Sequence, residues 1–186
     1  MLRKAMAACA VGLVSSLTYA QPPAAGAAAP APASAAAPAA ASGAKMTPVQ
    51  RADATPQGQL KNPYQDTDAA VVAAGQQLYL NYGCNGCHGG TGGGGMCPPL
   101  TNDIWVYGGD DDTLFRLVTL GSDELQKAGY TRIGHENVVG PMPPMGVIIT
   151  SADDLWKILA FVRSNYHGDP AYKFGAPAAP PEPTDP

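Results

Sequence analysis

The sequence predicts a small all-α domain with long loops rich in glycine and proline. Three stretches carry apolar residues at helical spacing, and each is bounded by residues that favour the start or the end of a helix. No stretch shows the sustained alternation of apolar and polar residues that is typical of half-buried strands. The chain contains 22 glycines and 19 prolines, and their clusters between the three stretches predict turns and loops.

The first predicted helix runs over residues 68–82. Asp68 is a favourable N-cap, and Gly83 ends the helix directly before a cysteine. The residues that share one face of this helix are Val71, Val72, Gly75, Leu78, Tyr79 and Tyr82.

The second helix is predicted from Asp111 or Asp112 to Leu120. The aspartates at its start suit the positive end of a helix dipole, and Gly121 suits its exit.

The third helix follows Ser151, whose spacing to Asp154 resembles a capping box, and Gly168 and Pro170 lie beyond its end. Its apolar stripe has the spacing i, i+3, i+4, i+7 and consists of Leu155, Ile158, Leu159 and Val162.

The chain ends predict export and a flexible tether. Residues 1–20 have a basic start, a short apolar run and a small terminal Ala20, which is typical of a cleaved signal peptide and places the mature protein in the periplasm. No later segment is apolar enough to span a membrane. We expect residues 21–61 to be an Ala/Pro-rich tether, residues 62–174 to be the folded domain and residues 175–186 to be a similar tail.

Charge argues against a nucleic-acid partner. Removing residues 1–20 takes away two of the eleven basic residues and none of the fifteen acidic ones, which leaves nine against fifteen, or about −6. A protein without a basic patch lacks the attraction to phosphates on which nucleic-acid binding depends.

The sequence Cys84-Asn-Gly-Cys87-His88 is the attachment signature of c-type haem. Two thiols at this spacing form thioethers with the two vinyl groups, and the histidine that follows becomes the proximal iron ligand. A structural zinc site would need a second Cys/His pair, and a thioredoxin-like dithiol would need a βαβ pattern; neither is seen. A disulfide between the two cysteines would leave His88 unexplained.

A second axial ligand is expected from the proline-rich loop before the third helix. Met142 and Met145 lie in this loop, where the flanking prolines favour iron ligation over ordinary core packing. His135 could give bis-histidine ligation instead, and His167 is expected to be exposed.

These residues together resemble a class I c-type cytochrome. Gly75 and Tyr79 resemble the small-plus-aromatic pair that crosses the terminal helix in that family, with Ile158 and Phe161 as their partners. The loop resembles the family's Met-Pro-x-x-Gly pattern, which implies Met142 rather than Met145 as the ligand. Two further positions resemble the pair after the haem motif, namely Pro98 and Leu100, and the family's proline offers its carbonyl to the proximal histidine.

A narrower resemblance involves residues 92–121 and 142–164. They are similar to the cytochrome c-L group, and especially to its lanthanide-linked relatives. This resemblance implies a periplasmic electron carrier with one covalent haem c and no bond chemistry of its own. Its donor would be a PQQ-dependent methanol or alcohol dehydrogenase, and its acceptor another cytochrome c or a terminal oxidase. The alternative is a five-coordinate haem enzyme, or a sensor of peroxide or a gas.

For several residues the sequence leaves two interpretations open. Cys97 stands where the family usually has glycine, and it is either a small buried thiol or the source of an intermolecular disulfide. Trp105 and Tyr107 either donate hydrogen bonds to a haem propionate or pack in the core. Residues 122–139 have no assigned role and could cover a haem edge or contact a partner.

Overall fold

The computed structural model describes residues 46–134 and 140–175. Within these ranges the secondary structure is entirely helical, without a strand, so the all-α prediction is confirmed. None of the helices in the described ranges is long and apolar enough to span a bilayer. The part of the chain that the structure describes contains the α-helices α1 (Pro48–Asp53), α2 (Ala69–Asn81), α3 (Asn85–His88), α4 (Asp111–Leu120), α5 (Ser122–Lys127) and α6 (Ala152–Ser164), together with 3₁₀ turns at Met145–Val147 and Pro170–Tyr172.

The three long helices lie where the sequence predicts them. Asp68 caps α2 by accepting hydrogen bonds from the first-turn N–H groups, and Asp110 caps α4 in the same way. The Ser151 hydroxyl caps α6 by accepting from the Asp153 N–H, and α6 ends at Ser164, a few residues before Gly168.

Helices α1, α3 and α5 are not predicted from periodicity because they are only four to six residues long. A helix this short does not complete two turns, so its apolar residues do not form a recognisable stripe.

The tether predicted over residues 21–61 extends too far along the chain, because its last part is folded. Residues 46–61 are folded: Thr47 and Gln50 form a reciprocal capping box at the start of α1, and Ala52 and Leu60 are buried. The Met46 carbonyl accepts a hydrogen bond from the Ala152 N–H at the start of α6. The other expected segments at the chain ends lie outside the described residues, namely the signal peptide, the remainder of the tether and nearly all of the tail.

Helices α2 and α6 cross in direct backbone contact at Gly75. A Cβ at this position would lie 2.1 Å from the Lys157 carbonyl oxygen and 3.0 Å from the Phe161 Cβ. One turn further along α2, the Tyr79 ring packs against the Phe161 ring with 5.2 Å between their centroids. The crossing pair predicted from the sequence is therefore present, with Phe161 as the aromatic partner.

A buried ion pair on α4 binds the N-terminal segment, residues 46–61. Arg116 donates to the Asp112 carboxylate at 3.0 Å and also to the carbonyls of Ala52 and Thr55. The carboxylate of Asp112, which is 1% exposed, also accepts from the Leu60 N–H and the Tyr130 hydroxyl. Burial alone would raise the pKa of Asp112, but these hydrogen bonds outweigh it and hold the pKa below its usual value.

We expect Gly75→Ala to lower the free energy of unfolding by about 3 kcal/mol, because the new methyl group meets backbone that cannot rotate away. Chemical denaturation of the full-length protein measures the change. Gly90→Ala is the matched control, because a Cβ there meets nothing within 4 Å; it should change stability by no more than about 0.5 kcal/mol. Equal effects of the two substitutions would contradict close helix contact at Gly75.

We expect Asp112→Asn to destabilise the protein by about 3 kcal/mol at pH 7, because it leaves Arg116 buried without its partner charge. A carboxyl with a lowered pKa stabilises the fold above its ordinary pKa of about 4, and this contribution is lost as the pH falls through the lowered value. The difference between wild type and variant should therefore shrink between pH 7 and pH 3, as measured by denaturant titration. Asp53→Asn, at an exposed position of α1, is the control, and an equally large and pH-independent loss in both variants would refute this assignment.

Candidate functional site

Helix α3 places Cys84 and His88 on the wall of a cavity. The His88 N–H donates to the Cys84 carbonyl at 3.0 Å, which makes one helical turn and brings the two side chains to the same side. Both residues line the cavity, whereas Cys87 is not among its lining residues. Burial raises the pKa of the Cys84 thiol.

The imidazole of His88 is oriented by the Pro98 carbonyl. The distance from Nδ1 to this oxygen is 2.9 Å, and because a carbonyl can only accept, Nδ1 carries the proton. The lone pair is then on Nε2, which is the atom that a metal would bind. The resemblance implied this contact for Pro98, and its role beside a haem stays a prediction.

The glycine-rich segment after the motif folds back onto it. The Gly94 N–H donates to the His88 carbonyl at 2.9 Å, and the Cys97 N–H donates to the Cys87 carbonyl at 3.1 Å. The Tyr79 hydroxyl on α2 donates to the Gly89 carbonyl at 2.7 Å. Burial, followed by the nearby cysteine thiols, raises the pKa of Tyr79 to about 12, so this donor keeps its proton at neutral pH.

The cavity has a volume of about 380 Å³, which is within the usual range for cofactor sites. Its lining is mainly apolar, and its aliphatic residues include Leu100, Leu114, Leu117, Val118, Ile158, Leu159 and Val162. Four of the lining residues have side chains that can bind a soft or borderline metal, namely Cys84, His88, Cys97 and Met142. An imidazole and a thioether beside two cysteines, within an apolar enclosure, fit a haem iron.

The two candidate methionines have different surroundings in the structure. Met142 lines the cavity, whereas Met145 begins a 3₁₀ turn and packs against the hydrophobic core. Met142 is held through its backbone by Ser122, whose hydroxyl accepts from the Met142 N–H and whose N–H donates to the Met142 carbonyl.

Trp105 and Tyr107 both line the cavity, and their polar groups have different partners. The Trp105 N–H donates to the Leu100 carbonyl at 2.9 Å, which corresponds to the second of its two interpretations, packing within the protein. The ring itself is buried and packs edge-to-face on Tyr166. The Tyr107 hydroxyl accepts from the Gln126 side chain at 2.8 Å and keeps its own proton to donate.

Helix α5 and the loop after it contribute polar residues to the cavity that were not predicted from the sequence. They are Ser122, Asp123, Gln126 and Arg132, and all of them belong to the stretch that had no assigned role. The available signal was the sequence Gly121-Ser-Asp-Glu124, since a small polar residue followed by two acids is typical of a helix start.

The remaining candidate residues are Cys97, His167 and His135. Cys97 is half-buried and borders the cavity, and its pKa is raised by burial and by its hydrogen bond with the Cys87 thiol. His167 is exposed, as expected, and His135 lies outside the described residues.

Comparison with known proteins gives matches to cytochromes. The cytochrome c family model matches residues 72–165. The CcoP subunit of the cbb3-type cytochrome c oxidase of Cereibacter sphaeroides is 36% identical over 92 residues, which are 48% of this chain and 26% of that subunit. The Rhodobacter capsulatus subunit is 40% identical over 65 residues, with coverage of 33% and 22%.

A solved structure is also similar, that of cytochrome CL from the marine methylotrophic bacterium Methylophaga aminisulfidivorans. The identity is 28%, the match covers 55% of this chain and 58% of that one, and the TM-score is 0.41. The chain spans about a quarter of the length of the curated relatives that it matches, so only this part of those subunits is comparable.

Proposed function

The chain belongs to the cytochrome c family, and we propose that it is a periplasmic carrier of single electrons with one covalently attached haem c. The observation that carries this proposal is the entry of His88 and Met142 into one largely apolar cavity, with His88 Nδ1 already engaged by Pro98. Haem c, when bound, supplies an iron that alternates between the ferrous and ferric states.

Each residue of the motif has a distinct role in this proposal. Cys84 and Cys87 would hold the haem through two thioether bonds, and His88 would bind the iron through Nε2. The Pro98 carbonyl fixes the tautomer and the plane of the imidazole, which makes Nε2 a better donor. Met142 would bind the iron through its sulfur; a thioether ligand raises the reduction potential and blocks oxygen chemistry.

The walls of the cavity set the surroundings of the iron. Aliphatic side chains from α4 and α6 exclude water, which disfavours the more highly charged ferric state. We propose that the ring of Trp105 contacts the haem ring, since its N–H is already bonded to the Leu100 carbonyl. The Tyr107 hydroxyl, which accepts from Gln126, donates its O–H to a propionate. The protein performs no bond chemistry in this role.

We assign the donor and acceptor on two separate grounds. The resemblance of residues 92–121 and 142–164 to the cytochrome c-L group supports a PQQ-dependent methanol or alcohol dehydrogenase as the donor. Similarity to a subunit of a terminal oxidase supports a position near the oxidase on the acceptor side, either directly or through a second cytochrome. Contacts with both partners are expected to be small and brief, as in other redox encounters.

The assignment of Met142 is tested by visible spectroscopy of the oxidised and reduced protein. We expect the weak far-red band of methionine–iron ligation in the ferric form, and we expect Met142→Ala to abolish it. Met145→Ala is the matched control, since this side chain packs on the core, and it should retain the band. The reduced wild type should resist carbon monoxide, whereas Met142→Ala should bind it. A wild type without the band that binds carbon monoxide readily would favour the enzyme or sensor alternative.

The donor assignment is tested by mixing the oxidised protein with a purified PQQ-dependent methanol dehydrogenase and methanol. We expect stoichiometric reduction of the haem, at a rate that changes with ionic strength because the carrier is acidic. The same mixture without methanol is the control. If the dehydrogenase reduces an artificial dye but leaves this haem oxidised, the donor belongs to another class.

A further inference from the structure

Ser122 is hydrogen-bonded to both polar backbone groups of Met142. Its hydroxyl oxygen accepts from the Met142 N–H at 3.0 Å, and its own N–H donates to the Met142 carbonyl, also at 3.0 Å. Ser122 is 6% exposed, so water has little access to replace either bond. The N–H of the first residue of a helix has no partner within that helix, and here the Met142 carbonyl provides one.

The two hydrogen bonds restrain the direction in which the Met142 side chain leaves the backbone. The N–H and the carbonyl lie on either side of the Met142 Cα, so fixing both restrains φ and ψ together. The neighbours are prolines at positions 141, 143 and 144, whose ring closure fixes φ and biases Met142 towards extended backbone. Within residues 141–144, Met142 therefore has the only backbone N–H, and Ser122 accepts it.

Ser122 is itself held at a rigid corner between α4 and α5. Gly121 joins the two helices with φ of +79°, and a Cβ there would lie 2.7 Å from the Met142 carbonyl oxygen and 2.9 Å from the Pro144 nitrogen. Leu125, one turn further along α5, is fully buried. The methionine loop thus lies directly on this corner, at a distance that only glycine permits.

We propose that Ser122 is a positioning residue that holds the Met142 sulfur in the cavity. The inference rests on the proposed function, in which this sulfur is the second iron ligand. A methionine side chain has several rotatable bonds, so its sulfur stays within bonding distance of the iron only if its backbone is fixed. Loss of the Ser122 hydroxyl removes one of the two bonds and leaves the Met142 N–H without a partner, which shifts molecules towards a displaced loop.

Imidazole binding to the ferric, haem-loaded full-length protein measures this shift. Imidazole competes with Met142 for the iron, so its apparent affinity rises with the fraction of molecules in which the loop is displaced. We expect Ser122→Ala to lower the apparent dissociation constant about tenfold, which corresponds to about 1.4 kcal/mol. The far-red methionine band should also disappear at lower imidazole concentration.

Two matched variants separate positioning from general stability. Ser122→Thr keeps the hydroxyl and should restore an affinity close to that of wild type. Ser164→Ala removes a serine hydroxyl that donates to the Phe161 carbonyl at 2.7 Å at the end of α6, far along the chain from the loop, and should leave imidazole affinity unchanged.

The outcomes distinguish this inference from the proposed function. If wild type shows the methionine band and Ser122→Ala binds imidazole with wild-type affinity, or if Ala and Thr shift the affinity equally, the positioning role is overturned. If wild type lacks the band and Met142→Ala leaves imidazole affinity unchanged, the ligand assignment itself has failed.

Discussion

The contact between α2 and α6 at Gly75 is the constraint on which the rest of the structure depends. The haem motif follows directly from the end of α2, and the methionine loop precedes α6, separated from it by a 3₁₀ turn and four further residues. Because the two helices touch backbone to backbone, the segments attached to them are brought to one cavity. Tyr79 adds a second tie, since its ring packs on Phe161 while its hydroxyl bonds the first residue after the motif. A single close approach therefore positions both walls of the site.

The N-terminal segment supports the methionine side of the same cavity. Helix α1 packs against α4 and against the 3₁₀ turn that follows the methionine loop. Arg116, which is paired with Asp112, holds the end of α1 in place by donating to the backbone carbonyls of Ala52 and Thr55. Tyr130, which follows α5, donates to the carboxylate of Asp112. Residues near position 50 and residues near position 130 are thereby linked through α4, which itself lines the cavity. Support for the methionine loop therefore comes from outside the segment matched by the family model as well as from within it.

The sequence allows the long helices and the haem motif to be predicted, because both depend on local spacing. It does not allow the full extent of the fold to be predicted. Residues 46–61 follow an alanine- and proline-rich stretch, and their attachment depends on Arg116, which lies about sixty residues away along the chain. A local signal was present in Thr47 and Gln50, whose spacing is that of a capping box. The sequence also left two interpretations of Trp105 open, because the acceptor of its N–H, the Leu100 carbonyl, is determined only by the fold.

The run of three prolines around Met142 also determines how displacement of the loop can be observed. Proline has no amide proton, so in residues 141–144 there is one such proton, and it is bonded to the Ser122 hydroxyl. Exchange of this proton with solvent requires that bond to break, so its exchange rate reports the separation of the loop from α5. The loop also has no other backbone donor with which to form an alternative turn or strand pairing. Its state is therefore recorded by a single amide, which is either bonded to Ser122 or open to water.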